Sequence, residues 1–497
     1  MSLAQRLLAA LQAAAGSPCL EAAGRVYRYD ALLDRATALA AAWDRTDATR
    51  APVAVLCDHS LLGYAAVVAA LVSGRPYVPL HPGWPPARIS AVLGAAGCRL
   101  AVVDAERIEE LRALFEASGA AIVAQVGTHA VAPLQACRDA NPVAYVLFTS
   151  GFTGEPKGVV VGSAALDAYC TDAGALFPLR AQDRCSQLFD LSFDLSLHDI
   201  LCTFLAGACL VVDRDRQRID PVGFAAAARL SVWFSVPSVL ALAKRFRRLR
   251  PGALPGLRLA LFCGEALPVP LAMDFLAAAP GAEAFNLYGP TEATIAITSH
   301  RLEREALAGL AEPWVPIGQA YPASACLVVG ENGLPVADGE EGELWLGGPQ
   351  LAEGYQGAPM LTDRQFVSAR FAGCATTRWY RSGDRAVASL PHGLLFRGRA
   401  DEQVKIGGHR VELGEVENVL RGTGMVGEVA AFVQAAPDGG VVLACAVTGP
   451  RAPAGRILDA ARAELPPYMV PSRLLVLDDL PRSAHGKIDR RALAALA

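Results

Sequence analysis

The 497-residue sequence predicts an α/β protein with a large N-terminal domain of doubly wound βαβ subdomains, a small β-subdomain, and a small α+β C-terminal domain. Three observations carry that expectation. Between about residues 52 and 290 short apolar runs alternate with longer helical patterns, the signature of right-handed βαβ units with buried parallel strands. From about Pro316 the texture changes to short strands broken by Gly and Asn turns, as in a small β-subdomain. After Gly398-Arg399-Ala400-Asp401 comes a charged stretch ending in a lysine-bearing loop, long enough for a compact domain of its own. The expected boundaries are therefore 1–400 and 401–497, since the chain exceeds one ordinary core.

Taken in order, Met1 to Gly16 has leucines at helical spacing, and Gln12 interrupts its apolar stretch. It reads as a capping helix and not as a signal peptide. Pro52–Cys57 reads as a strand, Leu61–Ser73 as a helix and Arg99–Val103 as a strand. The same rhythm returns at Leu230–Phe234 and Leu257–Phe262, and such sheets gather ligands at the carboxyl ends of their strands. Ala325–Val329 and Gly342–Leu346 are short strands flanking the turn Glu331-Asn332-Gly333.

Composition excludes several classes. With 53% hydrophobic residues, 19% charged and a net charge of −4, the chain has the balance of a soluble globular protein. Lys and Arg are spread along the chain, so no nucleic-acid partner is expected. No membrane span is expected either, because the longest apolar run, Tyr64–Val72, is far short of the ~20 residues a bilayer requires. The twelve cysteines stand singly, without a C-x-x-C pair, and fit neither a disulfide framework nor a zinc site. They read as small core residues in a reducing cytoplasm.

Chemistry concentrates in a few loops. Tyr145-Val146-Leu147-Phe148 leads as a strand into Thr149-Ser150-Gly151-Phe152-Thr153-Gly154-Glu155-Pro156-Lys157-Gly158. Three glycines, several hydroxyls and a lysine are the materials of a backbone cradle for phosphate. The spacing is not that of a Walker A loop, and Pro156 disfavours a helix beginning there; a plain surface turn is the alternative. Asn286-Leu287-Tyr288-Gly289-Pro290-Thr291-Glu292 sets an aromatic, a hydroxyl and a carboxylate around a turn, either a tight turn with a core tyrosine or a place where a ring stacks on a purine and a carboxylate holds Mg²⁺. Asp384, in Tyr380-Arg381-Ser382-Gly383-Asp384, suits the two hydroxyls of a ribose or caps a turn.

These loops, in this order, resemble the adenylate-forming superfamily of acyl-CoA synthetases, luciferases and amino-acid adenylation domains. The resemblance covers residues 74 to 490 and includes Asp401–Glu417, Leu465–Pro471 and Gly486-Lys487-Ile488-Asp489-Arg490. It departs at Phe152, where a small hydroxylated residue is usual, and at Gly407, where an arginine is usual and glycine is expected to loosen the turn. The resemblance implies ATP and Mg²⁺ as cofactors. Thr149, Ser150, Gly151, Thr153, Gly154 and catalytic Lys157 would hold the phosphates, with Gly264 and Glu265 at the adenine edge. Tyr288, Gly289, Thr291, Asp384 and Arg399 would complete the nucleotide site, and Glu292 would bind the metal. Asp401 would be the hinge of a mobile C-terminal domain, with Lys487 as its catalytic lysine.

Ser192-Phe193-Asp194-Leu195-Ser196-Leu197-His198-Asp199 decides which member is resembled. Strict alternation would leave Asp194 on the surface, whereas in amino-acid adenylation domains the aspartate at this position pairs with the substrate's α-ammonium. An acyl chain would not tolerate such a charge. The matching pocket positions are Asp194, Leu195, His198, Phe234, Leu261, Cys263, Leu287, Ile295 and Ala296, a mostly apolar set. The chain thus resembles a stand-alone amino-acid adenylation domain of the nonribosomal-peptide-synthetase type. It is expected to activate a small neutral amino acid, first L-proline, and to deliver it to a separate phosphopantetheinylated carrier protein. Alternatives are a ligase loading D-alanine, alanine, serine or cysteine, an acyl-CoA synthetase, and a catalytically silent nucleotide-binding protein. His198 would hydrogen-bond a hydroxyl or thiol, pair with a carboxylate when protonated, or bond a backbone carbonyl and shape the wall.

Overall fold

The structure, a computed structural model, describes the chain except residues 124–131, 139–141, 152–155, 214–218, 391, 436–440, 483–486 and 497. Two compact units emerge: Met1–Pro82 with Leu93–Leu147 and Gly158–Ala400, and Gly83–Val92 with Phe148–Lys157 and Asp401–Ala497.

The first unit is built on a nine-stranded sheet in the spatial order Gln319–Ala320, Thr298–Arg301, Glu283–Tyr288, Leu259–Phe262, Val232–Ser235, Arg184–Ser186, Cys209–Val212, Pro18–Ala22 and Arg25–Arg28. Its middle is parallel and both edges are antiparallel. A seven-stranded sheet centres on Val53–Leu56, Tyr77–Pro79 and Val143–Thr149, and a five-stranded sheet centres on Glu341–Gly347 and Arg378–Ser389. The expected βαβ rhythm and β-subdomain are thus present. Helix Leu61–Ser73 has the predicted ends, capped by Ser60 and stopped by Gly74 at φ 68°. The N-terminal segment forms helix Leu3–Ala13 behind a Ser2/Gln5 capping box, which satisfies otherwise unpaired first-turn N–H groups.

The continuous apolar runs of the central strands have a direct cause, because each strand feeds two cores. Val232, Phe234, Leu259, Leu261 and Cys263 belong to one buried cluster. Trp233, Ala260 and Phe262, which alternate with them, belong to the other. Alternation therefore places Phe234, Leu261 and Cys263 on one face of the sheet, where Leu195, Leu287, Ile295 and Ala296 join the same cluster. Among the described residues no helix is long and apolar enough to cross a membrane, and the twelve cysteines are free thiols.

In the second unit a hairpin, Gln403–Ile406 with His409–Glu412, leads into helix Leu413–Gly422. A three-stranded sheet follows, Val429–Ala435, Val441–Thr448 and Arg473–Leu477, over a core that includes Val416, Leu420, Cys445 and Ile457. Gly407 sits in a turn whose geometry suits glycine. Ile406 pairs with His409 across two residues at φ 55° and 81°, Gly407 and Gly408, and glycine is the residue that enters this left-handed turn without steric cost.

Candidate active site

In the first unit the expected pocket residues converge at the carboxyl ends of three neighbouring strands and at the start of helix Leu195–Leu205. Asp194 is that helix's N-cap residue and is 7% exposed, so the surface position suggested by alternation does not hold. The phenols of Tyr77 and Tyr145 are raised, first by burial and then by the negative charge of Asp194. The buried hydroxyl of Tyr145 has no hydrogen-bond partner among the described residues. The Asp194 carboxylate thus lies close enough to both phenols for its charge to act on them.

His198, one helical turn beyond Asp194, is 3% exposed. Its Nδ1 lies 2.7 Å from the Tyr169 hydroxyl and 3.6 Å from Cys202 Sγ, and its ring meets Phe234 edge-on at 4.8 Å. Burial lowers the imidazole to about 3, because desolvation disfavours the charged form. Burial thus favours the neutral ring, which speaks against the alternative in which a protonated His198 pairs with a carboxylate. Its observed partner is a tyrosine hydroxyl and not a backbone carbonyl. Phe234 also meets Phe189 edge-on at 4.8 Å, and its amide donates to Ser186 Oγ at 2.9 Å. These contacts fix the wall.

The turn after Glu283–Tyr288 is crowded. A Cβ on Gly289 would fall 2.6 Å from Ala296 Cα, so only glycine lets the chain fold back over itself here. Thr291 is partly exposed and Glu292 is fully buried, its carboxylate accepting the Tyr355 hydroxyl proton at 2.7 Å. Thr294 and Ile295 both have positive φ, 54° and 72°. Tyr288 donates to Asp384, which also accepts from Arg399 Nη1 at 2.7 Å. Gly264 has φ 93°, and the Glu265 carboxylate accepts the Ser238 N–H at 2.8 Å, at the first turn of helix Pro237–Arg245. Tyr288, Asp384 and Arg399 thus form one hydrogen-bonded group at the end of the sheet.

The second unit holds the described part of the phosphate loop. Lys157 opens a strand, Lys157–Gly162, in keeping with the Pro156 argument against a helix. The Ser150 hydroxyl donates to Arg410 O at 2.8 Å and accepts from Glu412 N at 3.2 Å. Gly151 N–H donates to Glu415 Oε2 at 3.2 Å, and the Lys157 ammonium lies 3.4 Å from Glu412 Oε1. Glu415 also takes Arg88 Nη1 at 2.6 Å. Its carboxyl is raised by burial, and Arg88 and Gly151 oppose that shift. The buried Thr149 Oγ1 has no hydrogen-bond partner among the described residues. Thr153 and Gly154 lie outside the described residues. Asp401 is exposed and accepts from Gln403 N at 3.2 Å, and Lys487 is exposed beside the Arg482–Ile488 bridge.

Sequence reasoning missed Tyr169, Gln350, Tyr355, Arg88 and Glu415 as partners of the predicted residues. Tyr169 and Gln350 carry no sequence signal, since a buried polar side chain on an apolar element is indistinguishable from a solvated one until its neighbours are known. Among the described residues no group of three or more His, Cys, Asp or Glu side chains could hold a metal ion.

The chain matches the sequence profile of AMP-binding enzymes over residues 9–356 and that of the AMP-binding enzyme C-terminal domain over residues 415–487. It is 37% identical to phenyloxazoline synthase MbtB of Mycobacterium sp. (strain MCS), covering 89% of this chain and 37% of that protein. It thus spans little more than a third of that curated relative. It is 29% identical to the D-alanine–D-alanyl carrier protein ligase of Bacillus velezensis, covering 90% of this chain and 89% of the ligase. The crystal structure of the Vibrio cholerae adenylation domain AlmE, in complex with glycyl-adenosine-5′-phosphate, superposes with a TM-score of 0.90 at 33% identity, covering 99% of this chain and 97% of that one.

Proposed function

The chain belongs to the AMP-binding enzyme family, and from that premise we propose that it uses ATP to activate a small neutral amino acid, L-proline first, as an aminoacyl-AMP. In a second step it passes the aminoacyl group to the phosphopantetheine thiol of a separate carrier protein. Asp194 is the observation that carries the amino-acid reading. A carboxylate 7% exposed beside the phenols of Tyr77 and Tyr145 supplies counter-charge for an α-ammonium, and a buried carboxylate is a costly neighbour for an apolar acyl chain. The neutral His198 and the apolar residues around it offer nothing to pair with a charged side chain. Two relatives are in keeping with a small substrate, one solved with a glycyl adenylate and one named for D-alanine.

In the first step a carboxylate oxygen of the amino acid attacks the α-phosphorus of ATP and pyrophosphate leaves. Gly151 N–H and Lys157 would receive the phosphate oxygens. That these groups bind carboxylate oxygens from Glu415 and Glu412 in the structure is in keeping with an anion site, and the Thr149 hydroxyl, without a partner among the described residues, offers one more donor. The paired Asp384 would accept the ribose hydroxyls, with Tyr288 and Arg399 fixing its orientation. Glu292 would hold Mg²⁺ together with phosphate oxygens, as this ion prefers, and the bound ion would neutralise charge on the triphosphate. Lys487 would stabilise the negative charge that builds on the attacking oxygen. In the second step the thiol sulfur attacks the acyl carbon and AMP leaves. Residues 1–400 would act as the nucleotide- and amino-acid-binding core and 401–497 as the domain that turns about Asp401 between the steps. The free cysteines suit a reducing cytoplasm.

Amino-acid-dependent ATP–pyrophosphate exchange across a panel of substrates tests this reading. Small neutral amino acids should give the strongest exchange. Strongest exchange with aspartate, lysine or a bulky aromatic amino acid would refute the small neutral class, and serine or cysteine exceeding proline would replace the first choice alone.

A further inference from the structure

Thr294 and Ile295 are both β-branched and both sit at positive φ, 54° and 72°. Such a backbone conformation is strained for a β-branched residue and persists only where the surroundings over-determine it. Backbone hydrogen bonds hold the turn from within, Thr294 N–H to Thr291 O at 3.0 Å and Ile297 N–H to Tyr288 O at 2.8 Å, and one residue from a distant segment ties its two ends together. Gln350, fully buried, donates from Nε2 to the carbonyls of Ala296 at 2.8 Å and Ala293 at 3.5 Å, while its own backbone carbonyl accepts the Thr294 hydroxyl proton at 2.6 Å. Its Oε1 accepts from Ser324 Oγ at 3.2 Å, which fixes which way the amide points. The amide thus brackets the strained pair from both sides. Just beyond, Ala352 N–H donates to Glu292 O at 2.8 Å, so the same segment also holds the start of the turn.

We propose that Gln350 is a positioning residue, which by clamping Ala293 to Ala296 sets the placement of Ile295 and Ala296 and hence the shape of the amino-acid pocket. The proposal rests on the reading of those two residues as pocket wall. Gln350 acts only through them. Losing its donors leaves two buried carbonyls unpaired, and the backbone at Thr294 and Ile295 relaxes toward negative φ, which displaces the wall without touching the group formed by Tyr288, Asp384 and Arg399.

Gln350→Met keeps the volume and removes the donors. In pyrophosphate exchange its KM for the preferred amino acid should rise about tenfold, while the KM for ATP stays within about twofold. Ser324→Ala, which removes only the group orienting the amide, should raise the amino-acid KM in the same direction by a smaller factor. Combining the two should add nothing beyond Gln350→Met, since both act on one amide. Equal rises in both Michaelis constants, no rise, or independent multiplicative effects of the two substitutions would overturn the proposal. If Gln350→Met does not fold, Ser324→Ala decides, an amino-acid-selective rise supporting the clamp and an unchanged KM refuting it. Hydrogen exchange at the amides of residues 293–297 reads the clamp without any substrate. Faster exchange there in either variant supports it, and unchanged exchange refutes it, even if the wild-type enzyme proves to activate no amino acid and the functional reading itself fails.

Discussion

Acidification should destabilise the first unit through His198. The imidazole is buried and lowered to about 3, whereas in the unfolded chain it titrates near the ordinary ~6.5. A group whose folded pKa is depressed contributes its full stability above the unfolded value and loses it as pH falls, because the unfolded state takes up a proton that the folded state refuses. The window therefore runs from about pH 6.5 down to about 3. At ~1.36 kcal/mol per unit, the loss attributable to this one ring is about 2 kcal/mol between pH 7 and pH 5 and about 3 kcal/mol by pH 4. Urea unfolding followed by tryptophan fluorescence measures it, since Trp43, Trp233 and Trp379 are fully buried in this unit. His198→Leu removes the titrating group. The wild-type protein minus the variant should lose about 2 kcal/mol of stability between pH 7 and pH 5. A difference that stays constant across that range would show that His198 is not held neutral by burial, and the argument excluding charged substrates would fail with it.

Two further outcomes follow from the site. Asp194→Ala should weaken amino-acid binding by ~2–5 kcal/mol, the scale for stranding one member of a buried charge pair, and leave ATP binding almost unchanged; an unaltered apparent affinity in exchange assays would make Asp194 merely structural. Lys487→Ala should slow adenylate formation by ~10²-fold or more and slow thioester formation from a supplied aminoacyl-adenylate much less; an equal fall in both half-reactions of a folded variant would refute the account in which the C-terminal domain turns about Asp401 between the two steps.

The fold was legible where one local rule decides. Runs such as Leu259–Phe262 announce strands buried on both faces, Leu61–Ser73 reads as a helix, and Pro156 disfavours one after the phosphate loop. The chemistry was legible where residue type and order coincide, as in the loops around Gly151, Tyr288 and Asp384. What remained hidden was pairing across long sequence separation. Nothing near Thr294 announces that Gln350 holds it, nothing near His198 points to Tyr169, and Arg88 and Glu415 meet across 327 residues. Gly407 shows what a pattern comparison alone does not weigh. Judged against a family pattern it looked like a loss, yet a two-residue hairpin at positive φ makes glycine the better choice.

The apolar side chains assigned to the pocket wall are also members of an extended buried cluster, with Phe234 and Leu261 both at zero exposure. Enlarging the pocket by Phe234→Ala would remove ~3–5 kcal/mol of packing, a large part of the 5–15 kcal/mol that typically separates a folded domain from its unfolded chain. Selectivity and foldedness therefore draw on the same atoms. A lineage changing its amino acid cannot move freely through sequence space at these positions. It must either exchange residues of equal volume, which typically cost under ~1.5 kcal/mol, or first accumulate stabilising changes elsewhere and then spend that reserve on a new pocket.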